Sequence, residues 1–98
     1  MISSKQRAYL RSLTHNLSPM LHIGKDLISE NLIKQADDYL EANELMKVTV
    51  MQSVEEEINE IANNLANKVD AEIVQVIGRK FTLYRKSENN PVIILPKN

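Results

Sequence analysis

Two apolar periodicities alternate along the 98 residues of this chain, and their order limits the folds that it can adopt. Three segments repeat apolar residues every three or four positions, which is typical of helices with one buried face. Between and after them lie short segments rich in branched apolar residues, which is typical of strands. Because helices that alternate with strands cover the faces of a sheet, this order predicts an α/β fold.

Capping signals predict where the three helices begin. The first is expected from Ser4 to about His15, with Ser3 and Gln6 forming a capping box. The second is expected to begin after Ser29. The third is expected to begin after Ser53, which would place the three glutamates that follow in its first turn, where the helix dipole favours negative charge.

Five short segments are predicted to be strands. They are Met20–Ile23, Leu45–Met51, Glu72–Ile77, Phe81–Lys86 and, as a terminal edge strand, Pro91–Leu95. Gly78-Arg79 suits a type II′ hairpin turn, which would make its two flanking strands antiparallel. Because a helix separates each of the first three strands from the next, those three are expected to be parallel neighbours. We therefore predict one α-β-α-β-α-β-β domain over residues 1–98, with a mixed four-stranded sheet.

The charges are sorted along the chain. Residues 1–25 carry four basic and no acidic side chains, residues 26–72 carry three basic and twelve acidic ones, and residues 73–98 carry five basic and one acidic. The net charge of −1 therefore hides two basic ends around an acidic middle. If the fold brings the ends together, the protein presents a positive face suited to a phosphate backbone.

Three basic segments are candidates for contacts with phosphate. They are the exposed face of the first helix, the loop after the first strand and the hairpin around Gly78-Arg79. The loop Gly24-Lys25-Asp26-Leu27 passes from a strand into a helix, so its amides can point at an anion, although an ordinary turn has the same composition. Charged hairpin tips and helix faces are also common where nothing binds, because they keep a surface solvated. The candidate phosphate-binding residues are Arg7, Arg11, Gly24, Lys25, Lys47, Arg79, Lys80, Arg85 and Lys86.

The chain lacks the motifs of several other classes of protein. It has no cysteine, and its two histidines have no partner at the spacing of metal ligands. No phosphate-binding glycine loop, nucleophile motif or dinucleotide fingerprint occurs. We therefore expect no catalytic residues, no metal and no cofactor. No apolar run approaches the roughly 20 residues that span a bilayer, so a cytoplasmic protein without a membrane partner is expected.

Aromatic residues make up only 4% of the chain. Phe81 and Tyr84 lie on opposite faces of the second strand of the predicted hairpin, so one is expected to be buried and the other to face outward. With one such residue, base stacking cannot supply most of the affinity for a nucleic acid, and backbone and shape contacts would have to do so.

Several short motifs occur in a characteristic order along nearly the whole chain. They are Lys5-Gln6-Arg7, Leu10-Arg11, His15, Leu17, Pro19, Gly24-Lys25, Glu44-Leu45, Lys47-Val48, Gln75, Ile77-Gly78, Leu83-Tyr84-Arg85 and Leu95-Pro96. Together they resemble the YhbY family, bacterial single-domain versions of the CRM domain, which is named for chloroplast RNA splicing and ribosome maturation. The resemblance implies a fold similar to the C-terminal domain of translation initiation factor three. It also implies RNA binding and a link to precursors of the large ribosomal subunit.

One position departs from the family pattern. The family usually carries a G-x-x-G loop, whereas here Leu27 replaces the second glycine. Leucine resists the positive φ that glycine permits, so clamping of RNA by this loop is in doubt.

These observations predict an RNA-binding protein rather than an enzyme, with ribosomal precursor RNA and ribosomal particles as partners. The alternative is a protein-interaction module whose acidic helices, particularly the Asp37-Asp38-Glu41-Glu44 stretch, bind a basic ribosomal or assembly protein. A third possibility, a small metal-dependent nuclease, would require RNA cleavage in the presence of Mg²⁺.

Overall fold

The computed structural model describes residues 2–97, which form three helices and four strands. The elements are α1 (Ser4–Thr14), β1 (Leu21–Ile23), α2 (Glu30–Asn43), β2 (Leu45–Val50), α3 (Ile58–Val69), β3 (Glu72–Ile77) and β4 (Lys80–Tyr84). The predicted order of helices and strands is confirmed. Within residues 2–97, no helix combines the length and apolar character required to cross a membrane.

The four strands form one mixed sheet in the order β1-β2-β4-β3. β1 pairs with β2 in parallel, whereas β4 pairs antiparallel with both β2 and β3. The prediction that the first three strands are neighbours was therefore wrong for β3, because β4 lies between β2 and β3. Burial explains the insertion: Phe81 to Tyr84 of β4 are all buried, and a strand that is buried on both faces belongs in the centre of a sheet.

The hairpin that joins β3 to β4 has a two-residue turn. Ile77 pairs with Lys80, and Gly78 has a φ of 60° whereas Arg79 does not have a positive φ. A positive φ at the first central position alone is the geometry of a type II′ turn, as predicted.

Apolar side chains cover both faces of the sheet. On one face, α2 and α3 pack against residues such as Val48, Phe81 and Leu83. On the other, which we call the α1 face, Leu10 of α1 packs against Leu45, Val74 and Tyr84. Because Phe81 and Tyr84 are both buried, the prediction that one of them faces outward was wrong.

α3 begins four residues later than predicted from Ser53. Its N-cap is Glu57, and residues 54–57 precede the helix. Val54 instead forms a turn in which its amide donates to the carbonyl of Met51, and its buried side chain joins the core. Burial of Val54 therefore outweighs the capping tendency of Ser53, and the acidic residue of the first turn is Glu60.

The predicted terminal strand Pro91–Leu95 is also wrong. Residues 87–97, which we call the C-terminal strap, contain no strand. The Glu44 carboxylate instead accepts hydrogen bonds from the amides of Ser87 (2.9 Å), Val92 (2.7 Å) and Ile93 (2.8 Å). These bonds satisfy the strap's backbone donors without a neighbouring strand, while Ile93 and Leu95 pack onto the α1 face.

Glu44 is fully buried and has a positive φ of 67°. Burial alone raises the pKa of Glu44, but the amides of Ile93, Ser87 and Val92, together with the Lys86 ammonium, outweigh it and lower the pKa below its ordinary value. A carboxylate with a lowered folded-state pKa stabilises the fold fully above its unfolded pKa, near 4.5. That contribution is lost as the pH falls through the folded-state value.

Replacing Glu44 by Gln should lower the free energy of unfolding at pH 7 by about 2 kcal/mol, because an amide offers one acceptor oxygen to three backbone N–H groups that the carboxylate now satisfies. The difference from wild type should shrink as the pH falls below 4.5. Urea denaturation followed by circular dichroism at pH 7 and pH 3.5 measures both effects. Glu56→Gln, at an exposed position, is the control and should change stability by no more than about 0.5 kcal/mol. Equal losses of unfolding free energy in the two variants would contradict the conclusion that Glu44 holds the C-terminal strap.

Candidate nucleic-acid interface

The α1 face of the sheet is covered over only part of its area. α1 and the C-terminal strap pack over Leu45, Val74 and Tyr84, and beyond them lies an open cleft of about 290 Å³. We call it the cationic cleft, and it is lined by Thr14, His15, Lys47, Gln75, Ile77, Lys80, Phe81 and Thr82. Among the described residues, those lining this cleft include two lysines and no carboxylate, so its electrostatic field favours an anion.

Strand register explains why these side chains share one face. Two rows of directly opposed residues cross β2, β4 and β3, and opposed residues in a sheet project to the same side. The rows are Lys47, Thr82 and Gln75, and Thr49, Lys80 and Ile77. Each lysine therefore lies beside a polar side chain from a neighbouring strand.

The Gln75 side chain is held in place by a short chain of hydrogen bonds. Its Nε2 donates to the Thr14 hydroxyl at 3.0 Å, and that hydroxyl donates to the carbonyl of Arg11 at 2.7 Å. The register of β3 shifts between Ile73 and Gln75, which is a bulge of the kind that redirects a side chain. Sequence reasoning did not select Gln75 as a site residue, because a bulge leaves no clear signal in the apolar pattern.

The two lysines of the cleft differ in freedom. Lys47 is half-buried, and its Nζ lies 3.5 Å from the carbonyl oxygen of Leu17, whereas Lys80 is exposed. Between Lys80 and His22, on the same face, Thr49 has a buried hydroxyl that has no hydrogen-bond partner within residues 2–97. Buried hydroxyls normally have a hydrogen-bond partner, so the hydrogen-bonding capacity of this part of the sheet is not fully used within the protein.

The loop that carries Lys25 lies at the same end of the sheet as the hairpin turn. The amide of Met51 donates to the carbonyl of Ile23, and the amide of Val50 donates to that of Arg79, each at 2.8 Å. The ends of β1 and β2 and the β3–β4 turn therefore meet, and Lys25 is exposed there. The fold thus brings Lys25 and Lys80 to the hairpin end of the sheet from distant parts of the chain, and Lys47 lies on the same sheet one cross-strand row further from that end.

Three of the predicted phosphate-binding arginines, Arg7, Arg79 and Arg85, bind backbone carbonyls within the protein. Arg79 donates through Nε to Val50 (3.2 Å) and through one terminal nitrogen to Met51 (2.6 Å) and Val54 (2.7 Å). Arg7 likewise donates to the carbonyl of Ile73. Arg79 uses three of the five donors of a guanidinium to hold the loop before α3, so its first role is structural. Arg11, by contrast, is exposed.

Arg85 and Lys86 lie at the opposite end of the sheet from the hairpin turn. The Arg85 guanidinium contacts the Asp37 carboxylate at 2.5 Å, the carbonyl of Val69 at 2.8 Å and Glu41 at 3.9 Å, and its side chain is 19% exposed. A groove of about 480 Å³ at this end is lined mainly by charged residues, five of them acidic. The fold therefore does not unite Arg85 and Lys86 with the cationic cleft, and a carboxylate already neutralises Arg85.

The acidic stretch proposed as a protein-binding surface is largely occupied. Asp37 pairs with Arg85, and Glu44 holds the C-terminal strap. Glu41 accepts hydrogen bonds from the amides of Glu88 and Asn89 and from the hydroxyl of Ser87, and these bonds lower its pKa. Asp38 pairs with Lys34 on the surface of α2. Most of these carboxylates therefore stabilise the fold. Residues 2–97 contain no group of three side chains suited to hold a metal ion.

The loop between β1 and α2 keeps a tight turn although Leu27 replaces glycine. The amide of Leu27 donates to the carbonyl of Gly24 at 2.9 Å, and Leu27 has a positive φ of 53°. The Leu27 side chain packs against the core, which offsets the cost of this conformation. Gly24 does not have a positive φ, and a Cβ added there would lie 3.3 Å from the Met51 sulfur. That Gly24 allows close approach of a phosphate remains a prediction.

Comparison with known proteins places this chain in a family. A family model described as the CRS1 / YhbY (CRM) domain matches residues 2–85. The chain is 42% identical over 96 residues to the probable RNA-binding protein YqeI of Bacillus subtilis, covering 98% of this chain and 100% of that protein. It is 38% identical over 89 residues to a protein named as a probable RNA-binding protein of Methanocaldococcus jannaschii, covering 89% and 66% respectively.

A solved structure agrees with this match. The fold superimposes with a TM-score of 0.82 on the solution structure of a hypothetical protein from Staphylococcus aureus, at 48% identity, covering 98% of this chain and 100% of that one. The chain therefore belongs to the CRS1/YhbY (CRM) domain family, and the resemblance inferred from its motifs is confirmed.

The strain at Leu27 gives a test of the loop geometry. Leu27→Gly and Leu27→Ala remove the same packing, but only glycine adopts a positive φ without strain. The glycine variant should therefore be the more stable of the two by about 1 kcal/mol, as measured by thermal denaturation. At Ile33, inside α2, the same pair should show the opposite order, because glycine weakens a helix. An alanine variant at position 27 that is as stable as the glycine variant would refute the strained turn.

Proposed function

We propose that this protein binds RNA through the cationic cleft and the neighbouring loop at the hairpin end of the sheet. The main support for this proposal is that Lys47 and Lys80 lie in adjacent cross-strand rows of a cleft whose described lining includes no carboxylate. The sheet fixes the backbone positions of these cations, and a concave basic surface raises the local concentration of a polyanion.

RNA is the preferred polyanion because two relatives of this chain are named as probable RNA-binding proteins. The first of them is matched over 98% of this chain, so the similarity to a probable RNA-binding protein extends over nearly all of the residues that form this fold. The proposed role is binding rather than catalysis, because the cleft offers lysines, an imidazole, hydroxyls and an amide, and among the described residues no hydrogen bond joins the His15 imidazole to a hydroxyl.

We propose structured ribosomal RNA in precursors of the large subunit, with ribosomal particles in the cytoplasm as the partners. The resemblance of the chain to a family named in part for ribosome maturation supports this choice. Phosphate contacts on a rigid sheet also suit folded RNA, which proteins recognise largely through its shape and backbone.

Four exposed or half-exposed cations carry the proposed phosphate contacts. They are Arg11, Lys25, Lys47 and Lys80. Binding of about four phosphates predicts a slope of roughly −3 to −3.5 in a plot of log affinity against log salt concentration. Arg7, Arg79, Arg85 and Lys86 are assigned smaller parts, since the three arginines are bound within the protein and Lys86 lies with Arg85.

The double charge reversal Lys47→Glu with Lys80→Glu tests this assignment. It should weaken binding to a structured fragment of large-subunit ribosomal RNA at least tenfold and make the salt slope shallower by about 1.5, as measured by fluorescence anisotropy. Lys34→Glu with Lys68→Glu makes the same change in net charge on α2 and α3 and should keep the wild-type slope.

Equal weakening in both double variants would contradict the proposed cleft, and a flat salt dependence of the wild-type protein would contradict RNA binding through phosphates. Co-sedimentation of the same variants with precursors of the large subunit tests the ribosomal part separately. Only the cleft variant should leave the particle fractions.

A further inference from the structure

We infer that the cationic cleft holds a single unpaired nucleotide of the RNA and that the Gln75 amide binds the edge of its base. This inference rests on the proposed function and adds the kind of RNA structure that the protein recognises. Four observations carry it: the size of the cleft, the fixed amide of Gln75, the placement of the two lysines and the exposed side chain of Ile77.

The cleft is small for a free ligand. Its volume of about 290 Å³ falls at the lower limit of the roughly 300–1,000 Å³ of small-molecule sites. One nucleotide of a longer chain fits this space, because the rest of the chain remains outside and is bound by the surrounding cations. A base within a duplex cannot enter, since stacking and pairing hold it inside the helix.

The Gln75 amide is oriented before any ligand arrives. One of its two N–H groups donates to the Thr14 hydroxyl, whose own hydrogen is donated to the carbonyl of Arg11. The amide therefore retains one N–H donor and its oxygen acceptor. A side chain fixed in this way loses little conformational entropy on binding, which favours recognition over a mobile surface glutamine.

A neighbouring donor and acceptor complement the Watson–Crick edge of every base, because each such edge carries a donor beside an acceptor. In a duplex that edge is occupied by the opposite base, and it becomes available only when the nucleotide is unpaired. The free groups of the Gln75 amide therefore distinguish unpaired from paired nucleotides more strongly than they distinguish one base from another.

The remaining side chains suit the other parts of a nucleotide. Lys47 lies in the same cross-strand row as Gln75, with Thr82 between them, and Lys80 lies in the next row, so both lysines line the cleft that the amide lines. Ile77 is 65% exposed although it is a large apolar residue on the sheet, and it also lines the cleft. An apolar side chain there can contact the face of a base, a role that the buried Phe81 and Tyr84 cannot fill.

The test uses blunt RNA duplexes of two annealed strands, which contain no loop nucleotides. One duplex is fully paired, four carry a central single-nucleotide bulge of each base, and one carries an abasic bulge. Wild-type protein should bind the four base-containing bulges about tenfold more tightly than the paired duplex. The abasic bulge, which keeps the backbone distortion but lacks a base edge, should bind like the paired duplex.

Gln75→Met keeps the length of the side chain and removes the amide. It should bind all six duplexes with the affinity that wild type shows for the paired one. Gln35→Met, the same change at an exposed position of α2, should keep the wild-type preference. The comparison of abasic and base-containing bulges uses only wild-type protein, so it decides the question even if Gln75→Met is unstable.

Equal affinity of the wild-type protein for paired and bulged duplexes, with the salt dependence intact, would overturn this inference and leave the proposed function standing. Equal affinity for abasic and base-containing bulges would overturn it as well. No measurable binding to any of the duplexes would refute both.

Discussion

The buried carboxylate of Glu44 determines how the sheet is covered, and the accessible surface of the protein follows from it. Glu44 lies between α2 and β2 with a positive φ, and its two oxygens accept three backbone amides of the C-terminal strap. These bonds hold the strap beside α1, over the Leu45, Val74 and Tyr84 end of the sheet. The strap does not contribute to the described lining of the cationic cleft, and α1 reaches it only through its last residue, Thr14. The same interaction that completes the core on one half of the α1 face therefore leaves the other half open.

Charge segregation reinforces this division of the sheet. The acidic residues of the middle of the chain lie mainly on α2, α3 and the loop before α3, where Asp37, Glu41 and Glu44 bind Arg85 and the strap. The open half of the α1 face receives Lys47 and Lys80 without a carboxylate among its described lining residues. A protein with a net charge of −1 can thus present a cationic cleft, because its carboxylates lie outside the described cleft lining and three of them bind Arg85 or the strap.

The order of elements, the helix caps at Ser3 and Ser29 and the type II′ turn at Gly78 could all be predicted, because each depends on a few neighbouring residues. The neighbours of β3 could not be predicted. A helical crossover fixes the direction of a strand, but it does not determine whether a hairpin partner is inserted beside that strand. The separation of Arg85 from Lys80 also escaped prediction: both belong to one basic segment, but the length of β4 carries them to opposite ends of the sheet. Gln75 was missed for a related reason, since its position depends on a bulge and on contact with α1.

The central claim is that the open half of the α1 face is the surface that contacts RNA. Nuclear magnetic resonance of ¹⁵N-labelled protein, titrated with a bulged RNA duplex, tests it most directly. The largest shifts are expected at Lys47, Gln75 and Lys80 and in the Lys25 loop, while the resonances of α2 and α3 should remain unchanged. Shifts concentrated in α2, α3 and the groove around Arg85, with the cleft unaffected, would contradict it.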